Sequence, residues 1–252
     1  MKKGLLALSA ATLFVMTTPV QAKQEICVFD LLGRAGESYK LIEEWKLAAK
    51  NWQGDIELIP YQDEKKAEQD FDAGKCDGVY MTSMRARKYN KFAGSIDAVG
   101  AVTSNAIAQK AISFVLDNRN KHRLTASVGG EKHEVAGIIQ VGLAYIFVRD
   151  KNIDTIEKAK GKKFAYLHYD QAQKTIVESI DLIAVPSDIS DFVKKFNSGQ
   201  VDVIAAPAYA YKPLEISKGM ANGALFNFPA VNITGDLIIK PGKFPANFGT
   251  QS

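Results

Sequence analysis

The 252-residue sequence lacks catalytic signatures. No G-x-S-x-G, H-E-x-x-H, phosphate-loop or dinucleotide fingerprint is present, so the nucleophilic, metal and nucleotide chemistries that need those spacings have no support. Two cysteines and three histidines do not fall at zinc-ligand spacing. His168 is expected at a strand end, but no Ser or Cys can be paired with it and no acid assigned to orient it, which leaves a catalytic role without its other members. His122 and His133 fall in a polar connection and are expected at the surface. Neither an enzyme, a metal site nor an organic cofactor is expected.

Charge of one sign is scarce as well. There are 32 basic and 28 acidic residues, a formal net charge of +4, and Lys2 and Lys3 account for half of it. No strong field favours nucleic acid or an anionic membrane. The short basic pieces Arg85-Ala86-Arg87-Lys88 and Lys160-Gly161-Lys162-Lys163 read as solvated helix or turn faces. Long apolar runs are missing after the N-terminus: Ala136 to Val148 contains Gln140, Gly137 and Gly142, and is too short to span a bilayer.

The N-terminus is different. Met1-Lys2-Lys3 precedes an apolar run from Leu5 to Met16, and Val20-Gln21-Ala22 resembles a cleavage box. Residues 1–22 are expected to be a secretory signal peptide, with Lys23 as the mature N-terminus and no stable membrane insertion after cleavage. An uncleaved anchor is the alternative, against which the apolar core is short. Export would place Cys27 and Cys76 in an oxidising compartment. Both are expected at the same end of neighbouring strands, so a disulfide is favoured over two buried thiols.

One spaced pattern occurs twice: Phe71-x-x-Gly74-x-x-Asp77-x-Val79 and Phe196-x-x-Gly199-x-x-Asp202-x-Ile204. Each copy follows a Pro-containing turn, Ile59-Pro60-Tyr61-Gln62-Asp63 or Val185-Pro186-Ser187-Asp188. Asp63 and Asp188 suit a helix N-terminus, Gly74 and Gly199 suit its left-handed stop, and an apolar strand follows. Chance over four positions is the alternative to two equivalent βαβ units. The Gly and Asp of the pattern are expected to be scaffold.

Strands are expected at 26–29, 56–59, 78–81, 137–149, 163–168 and 231–240, with helices near 38–51, 84–92, 106–117, 153–158 and 170–180 and a polar connection at 118–134. This alternation predicts an α/β chain of two lobes, over 23–136 and 137–230, with 231–252 returning to the first. No low-complexity linker separates the lobes, so strands are expected to join them. Ligands of open α/β sheets bind beyond the carboxyl ends of the strands, which makes the central cleft the expected site. The candidates there are Asp30, Arg34, Tyr80, Thr82 and Ser83 in the first lobe, and Tyr166, His168, Tyr169, Asp170, Pro207 and Tyr209 in the second. Tyrosines can stack and donate a hydrogen bond, and Asp30 and Asp170 can hold an amine. For each, an ordinary cap or turn role is the alternative.

The run Val135-Ala136-Gly137-Ile138-Ile139-Gln140-Val141-Gly142-Leu143-Ala144-Tyr145-Ile146-Phe147-Val148-Arg149-Asp150, with Phe196 to Pro207, resembles a bacterial family of solute-binding proteins, the AdeT proteins. The resemblance spans nearly all of the chain beyond the leader. That family is distantly similar to the periplasmic receptors of TRAP-type transporters, and some members are described as RND-type efflux components linked to aminoglycoside resistance. The resemblance implies a two-lobed periplasmic-binding-protein-like fold, a periplasmic location, and capture of a small molecule, cationic in the efflux case, for a membrane transporter or efflux subunits. Two departures stand out. TRAP receptors carry a carboxylate-pairing arginine on the strand that begins near Lys160-Gly161, and Ala165 aligns with it. Those receptors also continue into C-terminal helices beyond the equivalent of Gly249-Thr250-Gln251-Ser252, so a shortened copy is expected.

Overall fold

The computed structural model describes residues 23–246 and 248–250, and the expected leader, 1–22, lies outside the described residues. In chain order the elements are β1 (Gln24–Phe29), α1 (Glu37–Ala49), β2 (Ile56–Tyr61), α2 (Glu64–Asp72), β3 (Gly78–Thr82), α3 (Ser83–Ala86), α4 (Asn105–Val115), β4 (Thr125–Val128) and β5 (Glu131–Val148). They continue with α5 (Ile156–Ala159), β6 (Lys163–Leu167), α6 (Gln171–Ser179), β7 (Ile183–Ser187), α7 (Phe192–Ser198), β8 (Val203–Pro207) and β9 (Ala224–Ile239).

The helices begin where side chains can satisfy their free N–H groups. Asp63 accepts from Lys66 N ahead of α2, Ser104 from Ile107 N ahead of α4, and Asp170 from Gln173 N ahead of α6. Helical spacing then turns one face inward, as with Ala108, Ile112 and Val115 on α4. In β1, Ile26 and Val28 enter one apolar cluster and Cys27 and Phe29 another, so the strand is buried on both faces.

The strands form one sheet in the order β2-β1-β3-β9-β5-β8-β6-β7, with β4 on β5. The order has internal symmetry. In the first half β1 pairs in parallel with β2 and β3, and in the second β6 pairs in parallel with β7 and β8. β3 then joins β9, and β8 joins β5, both antiparallel. β5 and β9 pair with each other from Glu134 opposite Ile239 to Val148 opposite Ala224, crossing from one half to the other. Register shifts interrupt that ladder, one of them between Gln140 and Gly142, where Val141 is the extra residue.

The repeated pattern has the same structure in both halves. Phe71 and Phe196 are each fully buried, and Gly74 and Gly199 have φ of +73° and +80° after their helices. Asp77 accepts from Glu25 N through Oδ2 and returns its own N–H to Glu25 O. Asp202 does the same with Lys163. Each aspartate therefore fastens the start of its half's central strand. Cys27 and Cys76 form a disulfide with Cα atoms 5.8 Å apart, buried in the first half.

Several expectations are corrected. The polar connection at 118–134 contains a hairpin, because Gly129 and Gly130, at φ +62° and +83°, turn β4 into β5. Strand alternation then buries His133, 4% exposed, against the rings of Phe71 and Tyr89. The helix expected over 84–92 is cut to the single turn of α3, with Asn90 bonding Arg123 O and Ala93 N in a turn beyond it. Asp191, not Asp188, stands at the start of α7, and its carboxylate accepts from Asp188 N. β9 starts seven residues ahead of the expected Val231, at Ala224, because its first part pairs with the second-half end of β5.

Replacing Asp77 or Asp202 by alanine is expected to lower unfolding free energy by about 1–2 kcal/mol each, since each loses a charged acceptor at a strand start. Urea unfolding checks this, and a loss confined to one of the two variants would break the equivalence of the halves.

Candidate functional site

The carboxyl ends of β1, β3, β6 and β8 converge on a cavity of about 100 Å³ between the two halves of the sheet. Its back is the crossing of β5 and β9, which contributes Val141, Ala144, Val231 and Ile233. The first half adds Phe29, Leu31 and Met84, and the second adds Leu167, Ile189, Phe192 and Leu214. Ala165, from β6, also lines it.

Of the residues expected at the site, Asp30, Tyr80, Thr82, Pro207 and Tyr209 line the cavity. Asp30 also caps α1: Oδ1 accepts from Leu32 N at 2.8 Å, and Oδ2 from Ser38 N and Tyr39 N at 3.1 and 3.3 Å. Gly36 leaves the room for this, because a Cβ there would lie 1.7 Å from Asp30 Oδ1. The Tyr80 hydroxyl lies 3.3 Å from Ser38 Oγ, and its ring covers Gly235, the residue whose missing side chain admits it.

The remaining candidates sit elsewhere. Arg34 is exposed, its guanidinium 5.6 Å from the Tyr39 ring centre. Ser83 is buried beneath β3, and its Oγ has no partner among the described residues. Tyr166 packs in an apolar cluster with Phe164, Val177 and Val203. His168, Tyr169 and Asp170 belong to a polar junction beside the cavity.

Arg85 is the centre of that junction. Its Nε meets Glu64 Oε2 at 2.9 Å and its Nη1 meets Glu68 Oε2 at 2.6 Å, both on α2. From the other half of the sheet, Asp188 Oδ1 lies 3.3 Å from Nη2, and the Tyr169 ring lies under the guanidinium with its centre at 3.8 Å. Tyr169 closes the circuit by donating its hydroxyl to Glu64 Oε2 at 3.0 Å. Thr82 links junction to cavity, since it lines the cavity while donating N–H and hydroxyl to Glu64 Oε1. A second bridge joins Arg87 Nη1 to Asp170 Oδ2 at 2.9 Å, and His168 Nε2 lies 3.3 Å from Asp188 Oδ2. Burial pushes the Glu64 carboxyl up, opposed by Arg85 and the Thr82 bonds, while the surrounding acids hold the Arg85 guanidinium more firmly charged.

The basic run Arg85-Ala86-Arg87-Lys88 is therefore no solvated face at its first and third positions. Arg85 is 5% exposed, and Arg87 reaches across the cleft. Lys88 alone in the run keeps the surface role, paired with Glu68 and Asp72. The signal that could have found Arg85 is the spacing of Glu64 and Glu68, four residues apart on one face of α2.

Behind the cavity, strand alternation turns Asn232, Thr234 and Asp236 away from it, and all are fully buried. Asp97 Oδ1 accepts from the Thr234 hydroxyl at 3.0 Å, whereas neither oxygen of Asp236 has a hydrogen-bond partner among the described residues. Burial pushes the Asp97 carboxyl up to about 7, and burial with the neighbouring Asp97 charge pushes Asp236 up as well. Chemically the cavity can hold an apolar molecule and offer it a few polar contacts. Among the described residues, no His or Lys lines the cavity to act as a base toward its hydroxyls, those of Ser38, Tyr80, Thr82 and Tyr209.

The model of a protein family described as Solute-binding protein AdeT 1/2 matches residues 43–252. A protein of Acinetobacter baumannii described as Probable solute-binding protein AdeT1 is 38% identical over 226 residues, covering 89% of this chain and 73% of that protein. Its AdeT2 counterpart from the same organism is 27% identical over 159 residues, covering 63% and 65%. Among solved structures, a TRAP periplasmic solute binding protein of Desulfovibrio salexigens with bound orotic acid matches with a TM-score of 0.70 at 14% identity, covering 90% of this chain and 73% of that one. Another from Pseudomonas aeruginosa PAO1, with bound L-malate, matches at 0.71 and 13%, covering 90% and 80%. These structural likenesses are of fold: a mixed α/β sheet in two lobes.

Two outcomes are expected from the polar groups. Arg85→Met strands Glu64 in a buried position and should cost about 3–5 kcal/mol in denaturant unfolding; a loss below about 1 kcal/mol would deny the junction its place in the fold. For Asp97, the folded carboxyl titrates above its ordinary value of 3.8, so the folded state holds the proton more tightly and the stability this gives is present at low pH and lost as pH rises through about 7. Asp97→Asn should accordingly gain stability over the parent protein as pH rises from about 4 to about 7, measured as melting temperature across that range.

Proposed function

Because the chain belongs to the AdeT 1/2 family of solute-binding proteins, we propose that it captures a small molecule in the cleft between its lobes and presents the closed, loaded form to a membrane transporter. The observation that carries this reading is the cavity at the carboxyl ends of four strands, two from each half, with a junction of charges beside it that joins the two halves. We assign the lobes to 23–136 and 137–230, with 231–252 returning to the first. The interrupted ladder of β5 and β9 serves as the hinge. In the open form solvent reaches both walls; the solute then bridges them, and Tyr169, Asp170 and Asp188 swing onto Arg85 and Arg87. A solute that contacts both walls favours the closed form through exactly those contacts it lacks in the open one, which is what a differential affinity requires.

We place the mature protein in the periplasm. A positively charged start, an apolar run and a cleavage-like Val20-Gln21-Ala22 support export, and the Cys27–Cys76 disulfide suits an oxidising compartment. A role as an accessory of aminoglycoside efflux would need several acids facing the ligand, and among the described residues Asp30 is the one that lines the cavity.

The test is a thermal-shift panel of amino acids, polyamines, organic acids, aminoglycosides and neutral aromatic compounds, with small-angle scattering on any compound that responds. A captured solute at about a hundredfold excess over its Kd should add about 2.7 kcal/mol of stability and reduce the radius of gyration. A folded protein that responds to none of these classes would sink the capture reading.

A further inference from the structure

Resting on the capture reading, we infer that the cleft selects a neutral, mainly apolar molecule of about one ring, and discriminates against both carboxylates and polycations. The first reason is what faces the ligand. Among the described residues no Lys, Arg or His lines the cavity, and the two arginines of the adjoining junction are engaged: Arg85 with Glu64, Glu68 and Asp188, and Arg87 with Asp170 and Gly94 O. A carboxylate drawn between Phe29, Leu167, Phe192 and Ile233 would lose its hydration and gain no cation.

A cation fares little better. Among the described residues Asp30 is the one carboxylate in the lining, and both of its oxygens already accept N–H groups, those on Oδ2 coming from the first turn of α1. The positive end of that helix offsets its charge, so what it offers an ammonium group is reduced. An aminoglycoside would bring several such groups to this one acid.

Neutral hydrogen bonding remains available. Among the described residues no hydrogen bond engages the Tyr209 hydroxyl, and Gln173 uses Oε1 on Leu167 N at 2.6 Å while its amide nitrogen has no partner. These two groups and the apolar walls fit a molecule with a ring-sized apolar body and one neutral polar substituent. Size limits the guest: the lobes as they stand leave about 100 Å³, less than the ~150 Å³ of an apolar cavity that takes up benzene, so a single ring is the most the cleft holds without its walls parting.

Isothermal titration with benzamide, benzoate and benzylamine compares one ring as a neutral amide, an anion and a cation, with phenol as a second neutral probe and kanamycin as a polycation. Benzamide or phenol should bind at least about tenfold more tightly than benzoate or benzylamine, and kanamycin should give no heat. Tyr209→Phe, at a half-exposed position, should weaken benzamide about three- to tenfold with an unchanged melting temperature. Ala165→Arg should reverse the order of benzamide and benzoate. Should that variant not fold, the order measured on the parent chain and the Tyr209→Phe result decide. Benzoate, benzylamine or kanamycin binding as tightly as the neutral probes would overturn the selectivity and leave capture standing. Silence from every probe, with the protein melting normally, would overturn both.

Discussion

The antiparallel ladder of β5 and β9 is the constraint on which both lobes depend. Each lobe is a three-stranded parallel unit, β2-β1-β3 or β8-β6-β7, and each is attached to the rest through one antiparallel edge of this ladder. A parallel unit of three strands leaves one side of β3 or β8 without hydrogen-bond partners, and the ladder supplies them. The two lobes therefore take their relative position from the twist and bulges of two long strands. The same strands apportion chemistry by alternation: Val231 and Ile233 face the cavity, while Asn232, Thr234 and Asp236 face the buried polar layer behind it.

Among the described residues, Asp30 is the one charged side chain in the cavity lining, and the other charges are concentrated beside it. Arg85 is held by Glu64 and Glu68 within its own lobe before the other lobe is considered. Tyr169 and Asp188 thus meet a guanidinium already paired and already desolvated, and what they add is a modest gain. A modest gain suits the reversible closure proposed for the cleft, because a state locked by many kcal/mol could not release what it holds. Asp30 shows the same separation at smaller scale, as it lines the cavity with its charge directed to the start of α1.

Much of the fold is legible in the residues, and the reason is local. Phe-x-x-Gly-x-x-Asp encodes a helix end, a left-handed residue and a strand start within a few positions, all set by backbone sterics and nearest hydrogen bonds. The carboxyl ends of the strands follow from that, and with them Asp30, Tyr80, Thr82, Pro207 and Tyr209 at the cavity. Arg85 and His133 were not legible in this way. Whether a basic side chain is solvated or buried depends on the acids it meets, and Asp188 is 103 positions from Arg85 along the chain. His133 is carried inside by a hairpin whose partner strand, β4, has too short and too polar a pattern to announce itself.

By itself the sequence determined an α/β chain with a duplicated unit, strand-linked lobes and strand ends that face one cleft, because apolar periodicity, turn glycines and capping acids act over short separations. Tertiary structure alone decided which way the polar side chains point. It caps α1 with Asp30, buries Arg85 among acids of both lobes, and leaves a cleft whose walls are apolar. Those outcomes depend on desolvation and charge pairing between residues far apart in the chain, which become neighbours when the sheet has assembled.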